Sequence, residues 1–348
     1  MPVWMTVSGA VLAVFAVVAA GAVMRRLRWL TTEADESLLA VVVRLLVPCL
    51  ILKIVLGNEA LRHPINLLLP PAIGLAAMVL GFGAAWLWVR GLGRWCGLDL
   101  PVKGRTFTFI VGVYNYYYIP LPLAAVLFKG DAAVLGVLTV LQAGVEFGLW
   151  TIGVMVLTGG GREGKDRRCG GASARSEETP YVVTTNGLPW RKLINPVSVT
   201  IIVGVVLNFL RIDEHAPVLA MTMVMKAVEM LGGCAIPLAL LLIGAMVSDN
   251  IRGANWAGAG RVITGACVLR LLLLPAMVLA ATRFLPLPHP LKQVMVLEAA
   301  MPAAMFPIVM TRYYGGDSVT ALRVVIGTSI VGLVTIPIWV WVGMTWVL

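Results

Sequence analysis

Two proline-rich interruptions, one in each half of the chain, fall inside stretches that are otherwise apolar enough to cross a membrane. The first is Asn115-Tyr116-Tyr117-Tyr118-Ile119-Pro120-Leu121-Pro122, and the second is Met301-Pro302-Ala303-Ala304-Met305-Phe306-Pro307. Each is followed by a Gly-Asp pair, Gly130-Asp131 and Gly316-Asp317, and these pairs lie 186 residues apart. Proline removes a helical hydrogen bond, and lipid tolerates this only where protein or a water-filled cavity satisfies the freed groups. Matched breaks of this kind predict the substrate site of a secondary transporter.

Apolar residues dominate the chain to a degree that soluble proteins do not reach. Hydrophobic residues make up 59% of the 348 residues and charged residues only 13%, about half of the charged share of a typical soluble domain. A helix needs about 20 apolar residues to cross a bilayer. Ten stretches fit this length: 3–24, 37–56, 67–90, 104–128, 132–157, 193–210, 221–248, 258–282, 291–311 and 318–347. The sequence therefore predicts an all-α integral membrane protein with ten transmembrane helices.

The ten segments divide into two sets of five. Residues 158–192 are rich in Gly, Ser, Thr and charge, which is typical of a flexible linker and here predicts a cytoplasmic one. The first five-helix repeat is thus 1–157 and the second is 193–348. Five crossings are an odd number, so the second repeat enters from the opposite side and is inverted. Pro48 and Pro237, 189 residues apart in segments two and seven, support this duplication, and segments four and nine are its crossing broken helices.

Basic residues predict the orientation in the membrane. The loops and flanks on one side carry 17 Lys and Arg residues and those on the other side carry 5. The positive-inside rule places both termini outside and the 158–192 loop in the cytoplasm. The net charge of +10 is therefore a topology signal. RNA binding by the 158–192 loop is not supported by interleaved aromatic residues, so we predict no nucleic-acid partner.

Three charged residues fall near the centres of predicted crossings: Glu146, Arg270 and Glu298. A charge there costs about 2.5–3.5 kcal/mol, so each is a candidate for a coupling or charge network. We expect Arg270 to pair with one acid, and the other acid to be protonated or to contact the substrate site. The alternative is that Arg270 only ties two helices together.

Other charges lie nearer the ends of segments. Lys53 either attracts an anion at the outer mouth or extends its ammonium group to the interface. Lys226 and Glu229 lie three residues apart on one helix face and are expected to pair.

Signals of catalysis and of metal binding are missing from the sequence. The five cysteines show no CxxC or Cys/His spacing. No HExxH, GxSxG or paired catalytic aspartates occur, and the three histidines lie in predicted outward loops. We predict no catalytic residue, no metal and no cofactor, and an intramembrane enzyme is the least favoured class.

A broken helix exposes free N–H groups and about half a positive charge at the start of its second half. We expect half-helices after Pro122 and Pro307 to meet near the bilayer centre and to bind a carboxylate. At 100° per residue, one of three consecutive tyrosines is expected to face the site. The predicted substrate-binding residues are Asn115, Tyr116, Tyr117, Pro120, Pro122, Met301, Pro302, Met305, Phe306 and Pro307.

Several segments resemble the auxin efflux carrier family, which includes plant auxin carriers and bacterial organic-acid permeases. The resemblance covers 38–58, 104–128, 193–210, 231–248 and 291–340. Its motifs are Asn115 followed seven residues later by Pro122, Glu298-Ala299-Ala300-Met301-Pro302 with Phe306-Pro307 and Tyr314, Asn195-Pro196-Val197, and Ile236-Pro237-Leu238-Ala239-Leu240. Pro120 stands where the family has glycine.

The resemblance implies ten helices in two inverted repeats, with segments 1, 2, 6 and 7 as a scaffold. Segments 3–5 and 8–10 are then a transport domain that moves by elevator-like alternating access. We predict export of small organic anions such as carboxylates across a plasma or inner membrane. The predicted partners are this anion and the lipid bilayer. A homodimer through the scaffold helices is also considered. The alternatives are a sodium- or proton-coupled symporter of the bile-acid type and a receptor that does not transport.

Overall fold

The computed structural model describes residues 3–159, 196–212, 218–253, 256 and 258–348, and these residues form helices joined by short connections. In chain order the helices are α1 (Val3–Arg26), α2 (Thr32–Val55), α3 (Pro64–Leu92), α4a (Pro101–Gly112), α4b (Pro120–Leu127), α5 (Ala132–Thr158), α6 (Pro196–Phe209), α7 (Val218–Gly253), α8 (Ala259–Phe284), α9a (His289–Ala299), α9b (Phe306–Tyr313) and α10 (Ser318–Trp346). Within these ranges seven helices, α1, α2, α3, α5, α7, α8 and α10, are long and apolar enough to cross a membrane.

The remaining helices are shorter. α6 is an apolar helix of 14 residues, and α4a, α4b, α9a and α9b are the two halves of segments that the sequence predicts to be broken. The structure confirms both interruptions. The predicted linker 158–192 lies, from residue 160 onward, outside the described residues.

The two Gly-Asp pairs occupy matching places, each just before a long helix. Asp131 precedes α5, and its side chain accepts a hydrogen bond from the Ala133 N–H over 2.8 Å. Asp317 precedes α10, and its side chain accepts from the Thr320 N–H over 3.0 Å. An aspartate at this position satisfies an amide group that the helix itself leaves unpaired. Both pairs therefore act as helix starts.

Among the described helices, packing forms three groups. Helix α7 packs along α1 and α2, and α6 packs on α2. Helices α3, α4a and α5 pack together, as do α8, α9a and α10, and α10 also packs on α4a. The groups meet where α1 contacts α10 and α4b, and where α2 and α6 contact α5.

Close approach of α1 and α7 depends on two glycines. A Cβ atom at Gly244 would lie 1.8 Å from the Val18 carbonyl oxygen, and one at Gly21 would lie 2.0 Å from the Leu241 carbonyl oxygen. Small residues let membrane helices bring their backbones together, where dispersion contacts replace the missing hydrophobic driving force. These two positions fix the spacing between α1 and α7.

An ion-pair cluster holds one end of the same helices. Arg25, at the end of α1 and largely buried, lies 2.5 Å from Asp35 of α2 and 3.1 Å from Asp249 of α7. It also donates to the Leu30 carbonyl oxygen over 2.9 Å. A guanidinium has five donors in a planar fork, so it can bind several acceptors at once. This cluster ties three helix ends together.

Candidate functional site

The two proline-rich interruptions meet inside the helix bundle. Residues 113–115 and 302–304 run antiparallel and share two backbone hydrogen bonds. The Asn115 N–H donates to the Pro302 carbonyl oxygen, and the Ala304 N–H donates to the Val113 carbonyl oxygen, each over 2.9 Å. Each break thereby satisfies backbone groups that the other leaves unpaired, which lipid cannot do. We call this junction the crossover.

Glycine and proline explain where the broken helices stop and restart. α4a ends at Gly112 and α4b begins at Pro120, whereas α9a ends at Ala299 and α9b begins at Phe306 with Pro307 next. Proline fits the first turn of a helix because its missing N–H would be unpaired there anyway. It cannot continue a helix that arrives from the preceding residues. The half-helices therefore begin at the prolines or just before them, earlier than predicted.

A cavity of about 940 Å³, including its open mouth, lies between the crossover and helices α2 and α7. Its walls are almost entirely apolar, and none of the described residues that line it carries a charge. The lining consists of Leu39, Val42, Val43, Asn115, Tyr116, Tyr117, Tyr118, Ala239, Leu242, Ile243, Met246, Val247, Ala304, Met305, Phe306, Ile308 and Val309. We call this space the crossover cavity.

All three consecutive tyrosines line the crossover cavity, so the expectation that one of them does is wrong. That expectation used the helical period of 100° per residue. Residues 115–118 have no helical backbone in the structure, so the helical period does not apply to them. Tyr117 is buried, whereas Tyr116 and Tyr118 are half-buried.

Five of the ten predicted substrate-binding residues line the cavity: Asn115, Tyr116, Tyr117, Met305 and Phe306. The other five do not: Pro120, Pro122, Met301, Pro302 and Pro307. Their place is behind the lining, where the prolines fix the backbone of the breaks and Met301 is fully buried. These five residues therefore lie outside the cavity lining.

The first half-helix offers no free amide N–H in its first turn, contrary to the expectation of two equivalent positive ends. Pro120 and Pro122 carry no N–H. The Leu121 N–H donates to the Tyr117 carbonyl oxygen over 3.0 Å, and the Ile119 N–H donates to the Asn115 side-chain oxygen over 3.3 Å. The prolines that break the segment also remove the donors that an anion needs.

The second half-helix keeps its free amide donors. Among the described residues, the N–H groups of Met305 and Phe306 have no hydrogen-bond acceptor, and both residues line the crossover cavity. The Asn115 side-chain nitrogen is a third donor at the cavity, because its side-chain oxygen already accepts from Ile119. These three groups can bind an anion together with the positive end of the α9b dipole.

Glu146 is hydrogen-bonded beside the cavity and not paired with Arg270. The Tyr116 hydroxyl donates to Oε1 of Glu146 over 2.6 Å, and the Trp150 indole N–H donates to Oε2 over 2.8 Å. The Trp150 ring in turn lies edge-on to Phe306, with centroids 6.3 Å apart. Glu146 therefore fixes the position of one cavity tyrosine and, through Trp150, contacts the second break.

Arg270 and Glu298 lie on the other side of the crossover. The Arg270 Nε donates to the Met301 carbonyl oxygen over 2.9 Å, and its guanidinium carbon lies 4.9 Å from the centroid of the Tyr114 ring. Within the described chain no carboxylate oxygen comes within the 4.0 Å of an ion pair with Arg270. The expected pairing with Glu146 or Glu298 is therefore absent. Arg270 is attached instead to the backbone of the second break.

Three of the described helices contain a π turn, and each π turn lies at one of these groups. Val42–Leu46 in α2 contributes two cavity residues, Leu149–Gly153 in α5 carries Trp150, and Leu269–Leu273 in α8 carries Arg270. A π turn widens a helix locally and often marks a functional position. Proline follows the first and third of these turns at Pro48 and Pro275, where it removes a helical donor.

Lys53 of α2 pairs with Glu229 of α7, and both helices also contribute to the cavity wall. Its ammonium nitrogen lies 3.0 Å from Oε1 of Glu229, and both side chains are substantially exposed. The expected pair between Lys226 and Glu229 is replaced by this contact between α2 and α7. Lys53 does not line the crossover cavity.

Comparison of the sequence with known families decides the class of protein. A profile described as membrane transport protein matches residues 6–340. The chain belongs to this family. The match extends over nearly all of the sequence and confirms the resemblance to auxin efflux carriers. Families of this kind are membrane transporters and not enzymes. The comparison with curated proteins gave no match.

In this member of the membrane transport protein family, the far wall of the cavity was not predicted from the sequence. That wall comes from α2 and α7: Leu39, Val42, Val43, Ala239, Leu242, Ile243, Met246 and Val247. These are ordinary apolar residues of membrane helices, so their type does not distinguish them. Pro48 and Pro237 mark α2 and α7 in the sequence as unusual helices. They do not indicate which face of each helix lines the cavity.

Proposed function

We propose that this protein is a secondary transporter of small organic anions, with carboxylates as the substrate class. The carboxylate is bound by the Asn115 side-chain nitrogen and the N–H groups of Met305 and Phe306. The single observation that carries this proposal is that these unpaired donors lie at an apolar cavity at the start of α9b. A group that must satisfy several donors and also fill an apolar space is an anion with a hydrocarbon body.

The rest of the cavity fits the body of such an anion. Tyrosine and phenylalanine rings line its crossover side, and aliphatic residues of α2 and α7 line the other side. Binding by uncharged donors avoids burying a fixed lysine or arginine, which would be costly when the site is empty. Hydrogen bonds to a charged group are worth about 1.5–3 kcal/mol each, so three donors are sufficient for a site that must also release its substrate.

The proposal includes an inverted repeat, with 1–157 and 193–348 as its halves and 158–192 as the linker between them. α4b begins at Pro120 and α9b begins at Phe306, 186 positions apart, the same interval as between the Gly-Asp pairs. The antiparallel contact between the breaks supports a two-fold relation, because equivalent backbone segments pair with each other at such an axis.

The proposed alternating access requires two domains. α1, α2, α6 and α7 form the scaffold, and α3–α5 with α8–α10 form the transport domain that moves past it. The crossover cavity lies between α2 and α7 on one side and the breaks on the other, so movement of the breaks would carry a bound anion across the membrane. Exposed apolar faces of the scaffold are the proposed contact of a homodimer.

We place the protein in a plasma or inner membrane with both termini outside, as the basic residues predict. With a negative interior, each exported negative charge gains about 2.3 kcal/mol per 100 mV. Export of an anion therefore needs no coupling ion. The second candidate function is a coupled symporter of the bile-acid type. For coupling to protons the supporting observation is the buried Glu298.

Counterflow in proteoliposomes tests the proposal. The protein is reconstituted, loaded with one of a panel of unlabelled mono- and dicarboxylic acids, and diluted into radiolabelled benzoate, which suits an aromatic-lined cavity. We expect labelled benzoate to accumulate transiently in vesicles loaded with accepted acids, equally in sodium and in potassium buffer. No accumulation with any acid contradicts organic-anion transport, and dependence on sodium favours the coupled symporter.

A further inference from the structure

A second, small cavity lies behind the crossover, on the side away from α2 and α7. It is lined by Ala77, Tyr114, Arg270, Leu274, Val278, Met295, Glu298 and Ala299. Three of these residues are polar, and each comes from a different part of the fold: Tyr114 from the first break, Arg270 from α8 and Glu298 from the last turn of α9a. The other lining residues, from α3, α8 and α9a, are apolar.

Glu298 is the unusual member of this cavity. Its residue is 2% exposed, and neither carboxyl oxygen accepts a hydrogen bond within the described chain. The charged and titratable groups that face it from the elements packed around the cavity are Arg270 and Tyr114. Arg270 forms no ion pair with it. An ionised carboxylate that is buried with neither a hydrogen bond nor a contacting cation is strongly unfavourable, and such a group takes up a proton instead.

Arg270 contacts the Met301 carbonyl and the Tyr114 ring instead of Glu298. Its Nε binds the Met301 carbonyl oxygen, and its guanidinium lies over the Tyr114 ring. Tyr114 lies in the crossover, and Met301 directly precedes its second strand, so both contacts attach Arg270 to this junction. The Tyr114 hydroxyl is buried and has no partner among the described residues. Arg270 is therefore held by contacts around the two breaks and not by Glu298.

We propose that Glu298 is a proton-binding site behind the crossover and that it carries its proton in the conformation seen here. On release, the O–H bond breaks, the electron pair stays on the carboxylate, and the proton leaves on a water molecule as hydronium. The carboxylate then attracts Arg270, which leaves the Met301 carbonyl and the Tyr114 ring to form the ion pair. Protonation thus decides whether the guanidinium is attached to the second break or to α9a.

Glu146 serves as an internal comparison. Its carboxylate accepts two hydrogen bonds, from Tyr116 and Trp150, and it is only half-buried. Donors of this kind stabilise the ionised form. Among the described residues, Glu146 therefore has hydrogen-bond donors that stabilise a carboxylate, whereas Glu298 has none. Of the two acids considered for coupling, the geometry selects Glu298.

The link to transport rests on the proposed function. If Arg270 holds Met301 where Met305 and Phe306 can present their N–H groups, then a bound anion favours the protonated form of Glu298. Linkage requires the converse, that protonation strengthens anion binding. Movement of the anion together with a proton follows, which favours the second, proton-coupled candidate over uncoupled export. The charge carried per cycle is then smaller than for the anion alone.

Infrared spectroscopy of the purified full-length protein tests the proton site without any substrate. In a detergent that contains no ester, we expect the carbonyl stretch of a protonated carboxylic acid at neutral pH, and its loss as the pH is raised. Incorporation of ¹³C-glutamate should shift the band, which assigns it to a glutamate. Absence of the band at neutral pH in the wild-type protein overturns the proposal, whichever variants fold.

Two matched variants assign the band to a residue. Glu298→Gln should abolish it, and Glu146→Gln should leave it unchanged. A band that survives in Glu298→Gln overturns the assignment. The infrared band is measured without an anion, so it can be present when benzoate counterflow fails, and counterflow can occur when the band is absent. The proton site and the transport function are therefore tested separately.

The linkage predicts further that benzoate counterflow slows at high pH in the wild-type protein and becomes independent of pH in Glu298→Gln. Wild-type counterflow that does not change with pH overturns the linkage.

Discussion

The amide N–H of Asn115 donates to the carbonyl oxygen of Pro302 over 2.9 Å, so two residues from opposite halves of the chain share a backbone hydrogen bond at the crossover. The same asparagine uses its side-chain oxygen to accept from the Ile119 N–H. One residue therefore joins the two breaks, begins the second half of the first broken segment, and directs its remaining donor to the cavity.

Substitution of Asn115 separates these two roles. Asn115→Ala should weaken benzoate binding about 10- to 100-fold, because a hydrogen bond to a charged group is worth about 1.5–3 kcal/mol. Asn115→Asp keeps an oxygen for the Ile119 N–H but replaces the donor by a negative charge, so it should bind benzoate more weakly still while remaining as stable as Asn115→Ala or more so. Binding is measured by titration, and stability by thermal unfolding. Unchanged benzoate affinity in both variants removes Asn115 from the site.

Tyr116 and Glu146 should behave as a coupled pair. Tyr116→Phe removes a donor from Glu146 and leaves its charge less compensated beside the cavity, so benzoate affinity should fall. Glu146→Gln removes that charge, and in its presence the effect of Tyr116→Phe should shrink. A double-mutant cycle on benzoate affinity is expected to give a coupling energy of about 0.5–3 kcal/mol. Additive effects would show that the bond of 2.6 Å between them has no bearing on the site.

The contact between α1 and α7 can be tested by adding one methyl group. Gly244→Ala places a Cβ against the Val18 carbonyl oxygen, whereas Gly9→Ala, on α1, meets no atom within 4 Å. We expect Gly244→Ala to lower stability by about 1–3 kcal/mol, the usual cost of overpacking. Gly9→Ala should leave stability unchanged or slightly raised. Thermal unfolding of the purified protein measures both, and equal stabilities of the two variants would contradict this packing.

Lys53 is expected to matter little. Its pair with Glu229 is 40% and 61% exposed at the two side chains, and exposed ion pairs contribute about 0–1 kcal/mol. Lys53→Met and Glu229→Gln should therefore have the stability of the wild type and equal rates of benzoate counterflow at low and high salt. A rate that falls at low salt in Lys53→Met alone would show that this lysine attracts the anion.

The sequence predicts the broken segments well because their signals are local. Proline cannot occupy the interior of a helix without a defect, so Pro120 and Pro307 show where α4b and α9b restart, and Asp131 and Asp317 show where α5 and α10 begin. The apolar runs predict the long helices for the same reason, since the bilayer sets their length.

Side-chain partners depend on the tertiary arrangement, so they are harder to predict from the sequence. The neighbours of Arg270 are a carbonyl of one break and a ring of the other, and only the crossover brings these together. The loss of donors at α4b could have been derived from the sequence, because Pro120 and Pro122 remove two N–H groups by composition alone. Both half-helices were expected to present equivalent positive ends, and the two prolines of α4b remove that equivalence.

The most direct test of a carboxylate site at the crossover compares benzoate with its neutral amide, benzamide, in thermal unfolding of the purified protein. A ligand at 100 times its Kd stabilises the folded state by about 2.7 kcal/mol. Val43→Trp, which fills the cavity from α2, and Val41→Trp, on the same helix but outside the lining, provide the matched variants. We expect benzoate, and not benzamide, to raise the unfolding temperature of the wild type and Val41→Trp but not of Val43→Trp. Equal stabilisation by benzamide, or full stabilisation of Val43→Trp by benzoate, would contradict an anion site in the crossover cavity.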